Sequence, residues 1–487
     1  MAKKRIPRRS AIKGIGAIGA ATVAAGCVTT KPSARTIIAH RHAKVTDSAE
    51  QIRRRVAETP LVDSHEHLIE EGERLRGAPH GRVRCDDWAL LMSHYLDSDL
   101  LSAGMPQKAH DRLFSHKTDP IEKWRLLEPY WPAVKNTGYG QAVAIAMREL
   151  YGVGELSTKT VARVQEQYVK LRKLGFYKKV LVDVAHIDSC QVNCLSRPFQ
   201  ESQLPDLLLQ DISFLGMHMG PNIDAYAPAT GIAVKELADW HKVIDWWFEK
   251  YGRYAVAVKS QAAYSRDLYY AEVKADQADP IFKRVVNKQE VTPNDRKRLE
   301  DHLFWYCVRR ATAHDLPVKL HTGYYAGQNR MPLERVGKNP GSVCEMLRHA
   351  LSEKLDTKFV IMHICYPYYE DIITVAKQYT NAYIDMCWAW IMNPAASVVF
   401  LKHYLLSAPA NKLLTFGGDY IPVEPVVGHA EIARHGIARA LTELVDEGWL
   451  SPDAALELVE PIMCGNGRRI FRLEEKKRAV RKAPWVS

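Results

Sequence analysis

From Leu61 onward the chain alternates short apolar runs, each closing on a polar residue, with longer amphipathic stretches. The runs predict strands at 60–65, 178–185, 207–217, 253–259, 317–321, 358–363, 381–386 and 413–418. Runs such as YAVAVK and KFVIMH are nearly continuous in apolar residues, which suits parallel strands covered on both faces. Eight of them separated by helical pattern predict an α/β chain folded as a (β/α)8 TIM barrel. Two intervals exceed what one barrel helix needs. Residues 69–177 include PIEKWRLLEPYW and GQAVAIAMRELYG, and 264–316 include Thr292-Pro293, a helix-start signal. Insertions after barrel strands fall on the catalytic face, so both are expected to be helical additions that shape a pocket there.

The polar residues that close the runs form a chemical set. They are His65 and His67 in LVDSHEH, Lys259 in YAVAVK, His321 in PVKLH, His363 in KFVIMH and Asp419 in LLTFGGD. In a parallel barrel these strand ends share one face, so imidazoles, lysine and carboxylate can converge. Period-two alternation points His65 and His67 the same way and turns Glu66 aside. Such donors suit a divalent metal, zinc first, with manganese or iron as alternatives, as one ion or two. A bound divalent ion brings the pKa of water from 15.7 to about 7, and an ionised Asp419 could accept the proton released. Lys259 as an ammonium would repel the metal. It is expected either as a metal-bridging carbamate or as a cation that binds a substrate carboxylate. His40-Arg41-His42 follows no apolar strand and is read as linker.

Weaker candidates surround this set. Arg266 and Arg330 follow Lys259 and His321 on the expected catalytic face and are candidate clamps for an anionic substrate. Trp388 is a candidate pocket wall, and Trp390 is open between wall and core. His186 and His218 are read as structural. Gly417-Gly418 would let backbone approach the metal. Neither a Gly-rich phosphate loop nor a Ser/His/Asp elbow is present.

Composition changes the picture mainly at the ends. The formal net charge is +11. Six of those cations, Lys3, Lys4, Arg5, Arg8, Arg9 and Lys13, lie before an apolar Gly/Ala-rich run, with no acid among them. Another basic cluster runs from Arg468 to Lys482. Without a basic helix interleaved with aromatics, a nucleic-acid partner is not expected. Arg8-Arg9-Ser10-Ala11-Ile12-Lys13 resembles a twin-arginine export signal, and Ala24-Ala25-Gly26-Cys27 a lipoprotein cleavage box. The expected division is export signal 1–27, polar spacer 28–55, catalytic barrel 56–473 and basic tail 474–487. The expected location is the periplasm, or the cell envelope through a lipid on Cys27, with no other membrane contact. The scattered cysteines give no disulfide framework, though Cys190–Cys194 stays open in an exported protein. Cys307, Cys365 and Cys387 are read as core thiols.

From Leu61 to about Leu473 the chain resembles the amidohydrolase superfamily of metal-dependent barrel enzymes. It is most similar to the amidohydrolase module fused to glutamine-synthetase-like domains in plants and fungi. Val258-Lys259-Ser260 with Ala263-Tyr264, His321-Thr322-Gly323, His363 with Tyr366-Pro367, and Tyr383-Ile384-Asp385 before Trp388 carry that likeness. A fainter likeness to uronate isomerases lies in His321-Thr322-Gly323 followed by Asn329-Arg330-Met331. The resemblance implies His65 and His67 on a more buried metal and His321 and His363 on a more exposed one. It also implies Lys259 as a bridging carbamate and Asp419 as metal contact and proton shuttle. The leading expectation is hydrolysis of a C–N or C–O bond (amide, cyclic amide, ester or lactone) in a small, carboxylate-bearing substrate. A one-metal decarboxylase or sugar-acid isomerase is the alternative, and a non-enzymatic exported binding protein is a third reading. Substrate and oligomeric state stay open.

Overall fold

The computed structural model describes residues 47–327 and 331–486. The expected export signal, most of the spacer and Arg330 lie outside the described residues. Parallel strands form the centre: β1 (Leu61–Glu66), β2 (Ile187–Val192), β3 (Leu208–Gln210), β4 (Ile212–Ser213), β5 (Val258–Ser260), β6 (Val318–Leu320), β7 (Phe359–Ile361), β8 (Ala382–Asp385) and β9 (Leu413–Leu414). They pair in the order β1-β2-β3 and β4-β5-β6-β7-β8-β9. β3 and β4 are halves of one barrel strand on either side of Asp211, whose N–H donates to the Val192 carbonyl. The segment after β9 closes the ring on β1, where Ser64 N–H donates to the Phe416 carbonyl at 3.0 Å. His67 N–H donates to the Tyr420 carbonyl, and Asp419 N–H returns to His65 at 2.9 Å. The molecule is thus a closed (β/α)8 barrel.

The strand residues Val258, Val318, Leu320, Phe359, Val360 and Ile361 are wholly buried, as expected of strands covered on both sides. The barrel interior nonetheless holds charge. Lys319 Nζ donates to the Asp211 carboxylate at 2.9 Å and to the Ser64 carbonyl at 2.7 Å. Ser64 Oγ in turn donates to Asp385 at 2.7 Å. Buried charges persist only when paired in this way.

Three expectations change. The run at 178–185 is helical (Phe176–Lys178 and Lys179–Val184), and the second strand is Ile187–Val192. An apolar run of that length fits a buried helical turn as well as a strand, so pattern alone could not decide. Positions 47–58 form a helix rather than spacer, with Ile52 and Val56 in the core. The basic tail also packs: Leu473–Val480 is a helix, and the Trp485 ring meets Tyr254 at 4.8 Å. Its lysines are not merely solvated, because Lys476 Nζ donates to the Gly252 carbonyl at 3.0 Å.

The two long insertions are helical. The first includes Pro120–Leu127, Gly138–Tyr151 and Val161–Leu171, and the second Ala275–Val286 and Pro293–Ala313. Thr292 caps the last, its hydroxyl accepting from Asp295 N–H, with Pro293 in the first turn. Helix Gly138–Tyr151 lies so close to Val426–Asp446 that a Cβ at Gly428 would strike the Ala142 carbonyl. No helix among the described residues is long and apolar enough to cross a membrane.

Candidate metal centre

The six strand-end residues are gathered at the carboxyl face of the barrel. His65 and His67 leave β1 with their Nε2 atoms 3.3 Å apart. Asp419 Oδ1 stands 3.2 Å from His65 Nε2 and 3.4 Å from His67 Nε2. Lys259, in β5, brings Nζ to 3.1 Å from His65 Nε2. His321 follows β6 and His363 follows β7, with ring centroids 4.4 Å apart. A nitrogen of His363 and an oxygen of Asp419 lie within 4.8 Å of each other and of Cys387 Sγ. Asp419 therefore stands between the two histidine pairs.

Backbone partners orient three of the four rings. His67 Nδ1 meets the Asn193 carbonyl at 2.8 Å, His363 Nδ1 meets Cys387 at 3.0 Å, and His321 Nε2 meets Tyr324 at 2.9 Å. A ring nitrogen facing a carbonyl must donate, so the opposite nitrogen keeps its lone pair. Burial pushes these imidazoles down, with the Lys259 charge adding to it. His321 falls to about 3, and His65, His67 and His363 fall well below the ordinary histidine range. Neutral imidazoles are the ligating form.

Two buried atoms also mark the site. His363 Nε2 and Asp419 Oδ1 lack a hydrogen-bond partner, which is costly in an interior unless another group occupies the position. The donor set and these two atoms fit a divalent metal. His65, His67 and Asp419 can hold one ion, and His363 with Asp419 reaches toward a second position.

Backbone strain gathers here as well. His363, Ile364, Cys365, Trp388 and Asp419 all have φ between 46° and 65°, a left-handed conformation that costs side-chain-bearing residues energy and is held by the surrounding fold. Gly418 is explained by packing rather than by a metal. A Cβ there would strike Glu66 Oε1, because the Glu66 carboxylate lies beneath the loop and accepts from Tyr420 N–H at 2.6 Å. Glu66 does turn aside from the imidazoles, but into this buried pocket. Gly417 likewise leaves room for Ser64 and Cys387.

The remaining candidates separate. Trp388 is fully buried and packs edge-on to His363 at 5.4 Å, so it walls the centre. Trp390 belongs to the core, its Nε1–H donating to the Thr415 carbonyl. Arg266 is committed elsewhere. Its guanidinium bonds Glu300 at 3.1 Å and Asp301 at 2.5 Å and lies over the Tyr270 ring, tying the second insertion to its own loop instead of clamping a substrate at the metals. His218 bonds Ser260 at 2.8 Å, and His186 lies at 3.3 Å from the Ala57 carbonyl, both structural.

Sequence reasoning missed several contributors. Tyr95, from the first insertion, donates to Asp419 Oδ2 at 2.6 Å and stacks on Trp388 at 4.8 Å. Tyr264 meets His321 at 4.6 Å, Asp211 approaches His65 Nδ1 to 3.8 Å, and the Cys387 thiol faces Asp419. Tyr264 and Cys387 sit close in sequence to Lys259 and Trp388, a signal that was available. Tyr95 lies in a helical insertion with no strand to mark it.

Known proteins share this architecture. A family model described as Amidohydrolase matches residues 283–473, which include His321, His363 and Asp419. Protein fluG of Emericella nidulans is 24% identical over 204 residues, 40% of this chain, and the chain spans 22% of that protein's length. Among solved structures, a glucuronate isomerase from Caulobacter crescentus aligns over 91% of this chain and 96% of its own, with a TM-score of 0.72 at 14% identity. A uronate isomerase from Thermotoga maritima aligns over 87% and 97%, with a TM-score of 0.69 at 16% identity. Identities this low carry the fold and not the reaction. The barrel, the convergent histidines and the family match over residues 283–473 together support an assignment to the amidohydrolase superfamily.

Proposed function

We propose that the protein is a metal-dependent hydrolase cleaving a C–N or C–O bond (an amide, cyclic amide, ester or lactone) in a small, carboxylate-bearing molecule. The observation that carries the reading is Lys259 Nζ, buried at the end of β5 and 3.1 Å from His65 Nε2. Burial lowers the pKa of this amine, partly offset by Asp419. A neutral amine adds carbon dioxide to give a carbamate and one proton, and the product is an anion suited to bridging two ions. In this reading His65, His67 and Asp419 would hold one ion, His321 and His363 would hold another, and a Lys259 carbamate would add an anionic ligand. Divalent ions bound there, zinc first with manganese or iron as alternatives, would supply Lewis acidity and a water of pKa near 7.

The protein's own groups do the rest. Asp419 Oδ1 faces the imidazoles and takes the proton from the attacking water, and Tyr95 fixes the other oxygen so that Oδ1 stays aimed. The proton then passes from Asp419 to the leaving group. Trp388 and Tyr264 cover the histidines and exclude bulk water. The Lys3–Lys13 basic run and Cys27 support export to the periplasm or cell envelope as part of the same proposal.

A sugar-acid isomerase or decarboxylase is the second reading, and the isomerase structures named above favour it only through the fold. Metal analysis decides between the two, combined with turnover of an amide, dipeptide and lactone panel. Two ions per chain, with hydrolysis abolished in Asp419→Asn, is the expected result. A single ion, retained in Lys259→Ala, overturns the two-metal hydrolase and moves the isomerase or lyase ahead.

A further inference from the structure

We infer that a second cleft on the catalytic face, beside the metal centre, is a binding subsite for a small organic anion, a carboxylate or phosphate carried on an apolar body. The cavity measures about 1110 Å³ and lies among the loops after β2, β4 and β5, the start of helix Pro293–Ala313, and Arg335. None of the metal-centre histidines lines it. The inference goes beyond the hydrolase reading and stands whatever reaction the metals support.

Charge carries the argument. Five cations, Arg197, Arg266, Arg296, Lys297 and Arg335, face two carboxylates, Asp267 and Glu300. Glu300 is already taken by Arg266, and Lys297 is satisfied by Asp301 at 2.7 Å. That leaves Arg197 and Arg296 without an ion-pair partner among the described residues. Arg335 donates to the Tyr264 carbonyl at 2.8 Å and likewise has no ion-pair partner there. Like charges gathered in a concavity repel one another, and low-dielectric walls focus their field on whatever enters. Guanidinium forks match carboxylate and phosphate oxygens in pairs. The 21-residue helix Pro293–Ala313 also begins at this cleft, adding the positive end of its dipole.

The lining supplies the second half of the chemistry. Leu195, 58% exposed, joins Leu215, Met219 and Val291 in the wall. Open leucine beside unpaired arginine favours an anion with an apolar body over a bare inorganic ion. One residue connects cleft and metal centre: the Tyr264 backbone carbonyl accepts from Arg335, and the Tyr264 ring contacts His321 at 4.6 Å.

A substrate's anionic tail and a free anionic effector share this chemistry. The test is calorimetric titration of phenyl phosphate and of inorganic phosphate into metal-stripped protein. Expected is saturable binding of phenyl phosphate, tighter than inorganic phosphate, weakening as sodium chloride is raised. In Arg197→Ala/Arg296→Ala affinity should fall about ten-fold. Both side chains are exposed, and Arg197→Gln serves as a second, milder variant checked by circular dichroism. Absent binding, equal affinity in the variants, or binding only when metal is present overturns the proposal. In cobalt-loaded protein a ligand that spans from cleft to metals alters the visible spectrum, marking a substrate tail. A ligand that binds with the spectrum unchanged marks an effector.

Discussion

The Tyr95 hydroxyl donates to Asp419 Oδ2 at 2.6 Å across 324 residues of chain, binding the helical insertion to the last barrel strand. The same hydroxyl also reaches the Asp419 backbone carbonyl at 2.7 Å. Burial lifts the Asp419 carboxyl to about 6, against the Lys259 charge and the Tyr95 hydrogen bond, which both lower it.

Tyr95→Phe should therefore raise the Asp419 pKa further. Protons and metal compete for this carboxylate, so metal affinity in the variant should fall most steeply near pH 6 and recover toward pH 8. A hydrogen bond to a charged group contributes about 1.5–3 kcal/mol, so the loss near pH 6 should be about ten-fold or more. Cobalt titrations across that range would show it, and an unchanged pH profile would remove Tyr95 from the site.

Lys259→Ala should leave at most one ion per chain and abolish turnover, with partial recovery on adding a short carboxylic acid and metal. The added acid would take the place of the proposed Lys259 carbamate. Elemental analysis and rescue kinetics check both halves.

Cys387→Ser should leave metal content unchanged. Burial raises this thiol well above the ordinary range, and its Cβ and Sγ fill the space that Gly417 leaves. What the site draws from Cys387 is the backbone carbonyl on His363 Nδ1. Loss of an ion in the variant would instead make the thiol a ligand.

Asp385 gives a pH prediction for the metal-stripped protein. Burial lifts its carboxyl to about 7, opposed by hydrogen bonds from Ser64 and the Cys387 N–H. The unfolded chain holds that proton only below about 3.9. The stability from this group is thus complete below that value and is lost as pH rises through 7. Asp385→Asn stays neutral, so its melting temperature relative to the parent should improve between pH 5 and pH 8. Parallel curves would refute the assignment.

Truncation separates signal from fold. A chain starting near Lys31 should purify soluble with unchanged metal content. One starting at Pro60 should be much less stable, because Ile52 and Val56 leave the core at about 1.5–3 kcal/mol each. Arg434 also loses its contacts to the Val56 and Thr59 carbonyls. Thermal melts of the two chains decide it.

The strand-end residues were legible in the chain because a buried parallel strand is short and apolar, and a polar residue at its end stands out. His65, His67, Lys259, His321, His363 and Asp419 needed only that pattern and the geometry of a barrel. The pattern missed the second strand, because Ile187–Val192 carries Asp188, Ser189 and Gln191 while the apolar run before it is helical. Nor could it reveal Tyr95 on Asp419, Asp211 beside His65, or the commitment of Arg266 to Glu300 and Asp301. Those relationships join segments with no local signature in common. Only closure of the barrel and packing of the insertions over its carboxyl face brought them within hydrogen-bonding distance, and there the cost of burying a polar group decided which partner each one took.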